Sequence, residues 1–296
     1  MQHPEQLSTP VLMIIFNRAD TTQRVFEAIK AVKPTSLYIA ADGPRSGKEG
    51  EALMCAQTRA IAEQVDWPCT VKTRFRDDNL GCGRGPASAI SWFFEQEEAG
   101  IILEDDCVAD PCFFSFCENL LNRYQHDSRV MHIGGFNIQF GQQHGPASYY
   151  FSQYPEVWGW ATWRRAWQTF DFHMTDYPQF KAENQLANVF SSTRMQHAWE
   201  KKLDYTYHQN PPSIWDYRWM YTVWKHHGLC ITPNQSLVQN IGFDGRGTHT
   251  NQQSEVQRAF AGIQATSLGE LIHPAFQTVA HAADQQTEKM RVMPPI

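Results

Sequence analysis

The sequence predicts an α/β fold, a mainly parallel central sheet flanked by helices, with a second half of different character packed beside it. Three observations lead there. Short apolar runs alternate with segments of helical period through the first half of the chain. The 296 residues are enough to bury a substantial core. Beyond position 136 the alternation fades, and eight of the ten tryptophans lie at or after position 158.

In chain order, VLMIIF (11 to 16), SLYIAA (36 to 41), TVKTRF (70 to 75) and GIIL (100 to 103) read as strands. Between the first two, Thr21 or Thr22 offers a helix cap, and Val25, Ile29 and Val32 recur at helical spacing. Ala60, Ile61 and Val65 extend a second helix, and a third follows Gly85 through Ile90, Phe93 and Phe94. Strand and helix repeated this way give right-handed crossovers and parallel strands, whose ligands gather at the carboxyl ends. Asp110 and Pro111 open a fourth helix, as cap and first residue. RVMHIGGF (129 to 136) is a further strand. Helical stretches are expected around 193 to 208 and 214 to 227, separated by Pro211 and Pro212, and the polar tail from 284 is expected to be disordered.

The 25 Lys and Arg against 31 Asp and Glu give a net charge of -6, which argues against a surface built for nucleic acid or anionic lipid. No apolar run approaches the roughly 18 to 20 residues of a membrane span, and MQHPEQLSTP lacks the regions of a signal peptide. The expected location is the cytoplasm, with peripheral attachment to the inner membrane as a variant. Seven cysteines without a C-x-x-C pair read as reduced packing residues, and the five-residue steps of Cys107, Cys112 and Cys117 lack zinc-site spacing.

The chemistry concentrates at strand ends. Glu104, Asp105 and Asp106 follow GIIL directly, so three carboxylates sit where a buried strand leaves the sheet. Burial there without a cation is costly, and a hard ion such as Mn2+ or Mg2+ would take carboxylate and diphosphate oxygens together. An isolated acidic pair would read first as a solvated turn ending a strand. Asn17 and Arg18 end the first strand and Asp42 the second; Arg18 suits a phosphate and Asp42 a base or ribose donor. LGCGRGPASA (80 to 89) lacks the third glycine of a dinucleotide fingerprint, but its amides and Arg84 suit a phosphate or sugar oxygen. A plain flexible start to a helix explains the same residues.

Two aromatic clusters follow. VWGWATWRRAW (157 to 167) and SIWDYRWMYTVW (213 to 224) read mostly as core, since Trp219 and Val223 stand four apart. Asp216 inside the second needs a partner, for which Arg218 is at hand, or a task. GFDGRGTHT (242 to 250) has the make-up of a mobile lid carrying Arg246 and His249, or of a surface turn.

With these residues in view, the chain resembles the N-acetylglucosaminyltransferase I family of GT-A glycosyltransferases and related bacterial enzymes. PVLMIIFNRADTTQRVFEAI resembles the family's first strand and helix, which gives Arg18 a nucleotide contact. IAADGP resembles the strand end whose Asp meets uracil, implying that role for Asp42. IILEDDCVADPCFFSFCENLL looks like the metal motif of the D-x-D type, so Asp106 would ligate metal while Glu104 and Asp105 face the donor. VWGWATWRRAW is similar to the G-W segment beside the donor sugar, which implicates Trp160. SIWDYRWM resembles the W-D-D-W-M segment and makes Asp216 the base, although Tyr217 replaces the second Asp. GFDGRGTHT resembles the family's closing loop.

The six segments keep the family's order over roughly positions 10 to 250. They imply a GT-A fold with a nucleotide-sugar-binding half at 1–136, an acceptor-binding half at 137–283 and a tail at 284–296. They also imply an inverting transfer from a UDP-linked, UDP-GlcNAc-like donor to a glycan, lipid-linked glycan or protein hydroxyl, in bacterial surface-glycan synthesis. A sugar-phosphate nucleotidyltransferase and a non-catalytic glycan- or nucleotide-sugar-binding protein remain alternatives.

Overall fold

The computed structural model describes residues 6–211, 213–246 and 255–292. Ten strands are present among them: β1 (Val11–Ile15), β2 (Ser36–Ala41), β3 (Thr70–Phe75), β4 (Ala99–Glu104), β5 (Cys107–Ala109), β6 (Val130–Gly134), β7 (Tyr149–Ser152), β8 (Trp160–Trp163), β9 (Leu229–Pro233) and β10 (Val238–Asn240). Eight form one mixed sheet in the order β3-β2-β1-β4-β8-β6-β9-β7, and β10 pairs with β5 in a two-stranded ribbon. The first four strands are mutually parallel, as is the β6–β9 pair, whereas β8 runs against both β4 and β6. All four parallel strands therefore end on the same edge, where the polar residues of the first half collect.

The alternation of side chains along β1 builds two cores. Val11, Met13 and Ile15 face one side, against Val25, Phe26 and Ile29 of the helix Ala19–Val32 and Phe113, Phe116 and Leu120 of the helix Pro111–Arg123. Leu12, Tyr38 and Ile102 face the other, against Ile90 and Phe93 of the helix Gly81–Phe94 and the tryptophans of the second half. Each fully buried side chain of this size contributes roughly 1.5–3 kcal/mol, so the apolar runs that define the strands also hold them together.

Several sequence expectations shift in the structure. Thr21 and Thr22 are buried inside the first turn of their helix rather than capping it, because the helix begins at Ala19 with Arg18 O accepting from Thr22 N. The second helix, Glu51–Arg59, tightens into a 3-10 stretch at Ala60–Gln64 and ends before Val65. The third helix begins at Gly81, ahead of Gly85, because the distant Asp42 carboxylate accepts from the amides of Leu80 and Gly81, each at 2.9 Å. Asp110 caps its helix as expected, accepting from Cys112 N at 2.9 Å.

The largest change is at the C-terminus. The stretch expected to be a disordered tail from 284 is, up to residue 292, part of the helix His281–Val292. Its buried face is polar and escapes a hydrophobicity reading: Asp284 accepts from Ser152 Oγ at 2.6 Å and Gln153 N at 3.0 Å, and Gln139 Nε2 donates to Thr287 Oγ1 at 2.9 Å. Among the described residues no helix is long and apolar enough to cross a membrane.

Candidate active site

A cavity of about 780 Å³ opens at the carboxyl ends of β1, β2 and β4. Its floor follows the strand register. Arg74 stands beside Ala40, Ala40 beside Ile14 and Ile14 beside Glu104, and all four line the cavity. The small Ala40 and the apolar Ile14 leave a trough with an arginine at one end and a carboxylate at the other.

At the acidic end Arg18 donates through Nη2 to Asp105 Oδ1 and, at 2.8 Å, to Asp106 Oδ2. Burial works against the charge on Arg18, but the two carboxylates overcome it and raise its pKa above the usual arginine value. Burial, then the charges of Asp106, Asp105 and Asp216, push Glu104 up to about 8 despite Arg18. Burial likewise lifts Asp105, against the pull of Arg18. Two buried atoms here, Arg18 Nη1 and Asp105 Oδ2, have no hydrogen-bond partner among the described residues. Even with Glu104 protonated at neutral pH, two aspartate carboxylates facing one guanidinium leave excess negative charge, and the Asp105 Oδ2 oxygen is suited to a hard cation.

No group of three or more His, Cys, Asp or Glu side chains poised to hold a metal occurs among the described residues. The Asp105 Oδ2 oxygen beside Asp106 fits a cation bound by one or two carboxylates and completed by ligand oxygens and water, a mode common for Mg2+. Asp106, expected as the direct ligand, has Oδ2 on Arg18 and Oδ1 3.4 Å from Asn240 Nδ2; the oxygen left open belongs to Asp105.

The ribbon strand β10 brings a second segment against this cluster. Ile241 N donates to Asp106 O at 2.8 Å, and a Cβ built on Gly242 would lie 2.2 Å from Asp106 Oδ2, so only glycine passes the carboxylate without displacing it. Arg246 lines the cavity but donates to Asp20, at 2.6 Å and 3.1 Å, and to Asp244 at 2.7 Å. His249 and the rest of the expected lid, 247–250, lie outside the described residues.

Asp42 lines the cavity while capping the helix Gly81–Phe94. Asn17 Nδ2 donates to the buried Glu51 at 3.0 Å, and Glu51 also accepts from Arg45 N and Nε. Glu51 was not expected from the sequence, nor were Arg45, Arg74, Arg76, Asn79 and Lys202, which line the cavity. The spacing of Arg74 and Arg76, on one side of a strand's end, was a usable signal; Arg45 and Glu51 had none.

Two expected contacts fall elsewhere. Arg84 is exposed and lies over the Phe172 ring at 5.5 Å, because the face of its helix that lines the cavity carries Cys82, Gly85, Pro86 and Ala89. Trp160 is fully buried, stacked against His132 and Trp215, and the cavity wall is made by Val157 and Trp158 instead. All of β8 is buried, and Trp160 faces the core that holds Trp167, Trp215 and Trp219.

Asp216 is the first residue of the helix Asp216–Lys225 and lines the cavity between Trp215 and Tyr217, close enough for its charge to act on Glu104. Arg218, the expected partner, is 1 % exposed; its Nη2 donates to Asn210 at 2.8 Å, and its guanidinium lies 4.2 Å from the Phe172 ring centroid. Burial pushes Arg218 down to about 10, with Asp216 pulling the other way and Arg84 adding to the fall. The structure thus brings Asn17, Arg18, Asp42, Glu104, Asp105, Asp106, Asp216 and Arg246 to one cavity.

No protein-family model matches the chain, and no curated protein matches it. Solved structures match in part. HddC from Yersinia pseudotuberculosis aligns over 58% of this chain and 86% of its own, at 9% identity and a TM-score of 0.34. An apo UDP-glucose pyrophosphorylase aligns over 54% and 79%, at 9% identity and 0.30. UTP-bound UGPase from Acinetobacter baumannii aligns over 55% and 77%, at 10% identity and 0.30.

Proposed function

We propose that this chain is a metal-assisted, inverting glycosyltransferase of the GT-A type, moving a sugar from a UDP-linked donor to an acceptor hydroxyl. The observation that carries the reading is the sharing of one cavity by the acidic cluster with Arg18 and, from the other half of the chain, Asp216. A site that only bound a nucleotide would have no need of a carboxylate presented by a separate helix.

In the proposed displacement the acceptor oxygen forms a bond to the anomeric carbon while the bond from that carbon to the phosphate oxygen breaks. The electron pair leaves with the nucleoside diphosphate, and the acceptor proton goes to Asp216. Mn2+ or Mg2+ held by Asp105 and Asp106 would neutralise charge on the departing diphosphate. Arg18 binds the same group through the Nη1 that has no hydrogen-bond partner among the described residues. Asp42 and Asn17 orient the nucleoside, and Arg246 joins the phosphates if it exchanges Asp20 and Asp244 for them. A carboxylate with a solution pKa near roughly 3.9 is a weak base, so proton transfer to Asp216 trails bond formation.

The second reading is a sugar-phosphate nucleotidyltransferase. It is favoured by Arg74 and Arg76, which line the cavity and have no carboxylate ion pair among the described residues, as a triphosphate would require.

Phosphorus NMR separates the readings on one preparation. With Mn2+ and a panel of UDP-sugars and acceptors, the transferase releases UDP; with UTP and sugar 1-phosphates, the nucleotidyltransferase releases pyrophosphate. Pyrophosphate alone would overturn the proposal, and binding without either product would mark a non-catalytic protein.

A further inference from the structure

His132, on β6, is fully buried. Its Nε2 lies 3.1 Å from Glu156 O, and its Nδ1 lies 3.2 Å from Trp219 Nε1. A backbone carbonyl only accepts and an indole N–H only donates, so the tautomer is determined: the proton sits on Nε2, and Nδ1 accepts from Trp219. Trp160 stacks on the imidazole at 5.0 Å and 20°, and Trp215 stacks on Trp160 at 5.9 Å and 27°. His132 therefore reaches both neighbours of Asp216 that enter the core: Trp219 by a hydrogen bond, Trp215 through a stack of rings.

We propose that His132 is a positioning residue, which sets the rotation of the first turn of the helix Asp216–Lys225 and so the direction in which Asp216 enters the cavity. The proposal rests on the reading of Asp216 as the base. Trp219 lies three residues beyond Asp216, close to one turn, so anchoring its indole leaves the first turn little freedom to rotate. Packing against Trp160 and Trp167 confines the Trp219 indole, and the hydrogen bond to His132 adds a directional constraint on how it is oriented. Burial keeps the ring neutral, its pKa pushed down to about 3 against the weaker pull of the Glu156 carbonyl, so the arrangement persists across the neutral range.

The test uses the full chain with His132→Leu, His132→Asn, Trp219→Phe and the Leu/Phe double variant. Single-turnover transfer should fall about tenfold or more in His132→Leu while donor affinity changes little, and Asn, which retains an acceptor and a donor, should restore much of the loss. Trp219→Phe should reproduce the fall, and the double variant should be no worse than either single one, because both remove the same bond. Additive losses, an unchanged rate or a parallel loss of donor affinity would overturn the proposal. Trp219→Phe removes the indole donor together with its second ring while leaving His132 in place, and its donor affinity and amide exchange are the readouts if His132→Leu does not fold. Hydrogen exchange at the amides of 216 to 219 gives an arm independent of activity: it should quicken in both single variants. If the wild-type chain transfers no sugar, the reading of the site falls, and unchanged exchange would show separately that His132 does not hold the helix.

Discussion

Asp105 and Asp106 share one arginine, and what each has left over defines its use. Arg18 occupies one oxygen of each, Asn240 approaches the second oxygen of Asp106, and among the described residues Asp105 Oδ2 has no hydrogen-bond partner. Removing Asp106 leaves Arg18 with Asp105, so the fold should survive while the shared grip on a cation is lost. In Asp106→Ala, calorimetry should therefore show that Mn2+ no longer strengthens UDP binding; an affinity equal to wild type in a folded variant would refute the metal site. These carboxylates were legible in the sequence because an apolar strand runs straight into them. Trp160 was misread because four tryptophans within ten residues gave no sign of which alternated inward, and Glu51 was missed because its partners, Arg45 and Asn17, belong to other segments.

At the scale of elements, strands were more legible than helix ends, since a strand needs only its apolar run while a cap can come from far away. Asp42 starts the helix Gly81–Phe94 from β2, and no local pattern announces that. The helix His281–Val292 was missed because it docks through polar groups. Its anchor makes a pH prediction. Burial pushes Asp284 up to about 7, eased by Ser152 and Gln153 N and reinforced by Glu288 and Glu156. A carboxyl group whose folded pKa is raised binds more protons when folded, so its contribution is greatest below about pH 4 and is lost as pH rises through about 7. Asp284→Asn, isosteric and uncharged, should flatten this part of the stability profile and raise the melting temperature at pH 8 relative to wild type. Melting curves from pH 4 to 8 that run parallel for the two proteins would contradict it.

Across the whole molecule, the parallel half of the sheet and its ligand edge followed from strand and helix alternation, but the join between halves did not. β8 inserts antiparallel between β4 and β6, so the chain's second half extends the first half's sheet, and the helix Asp216–Lys225 packs over the same face as the helix Gly81–Phe94. That packing, invisible in local patterns, puts Asp216 opposite the end of β4. This meeting of halves makes the proposed transfer site, and Asp216→Asn tests it most directly. The substitution keeps the shape of the side chain and removes the proton acceptor. Measured on one preparation with UDP-sugar, Mn2+ and acceptor, donor affinity and melting temperature should stay near wild type while single-turnover transfer falls by roughly a hundredfold or more. Near-normal transfer, or donor affinity and stability lost in step with activity, would contradict the account.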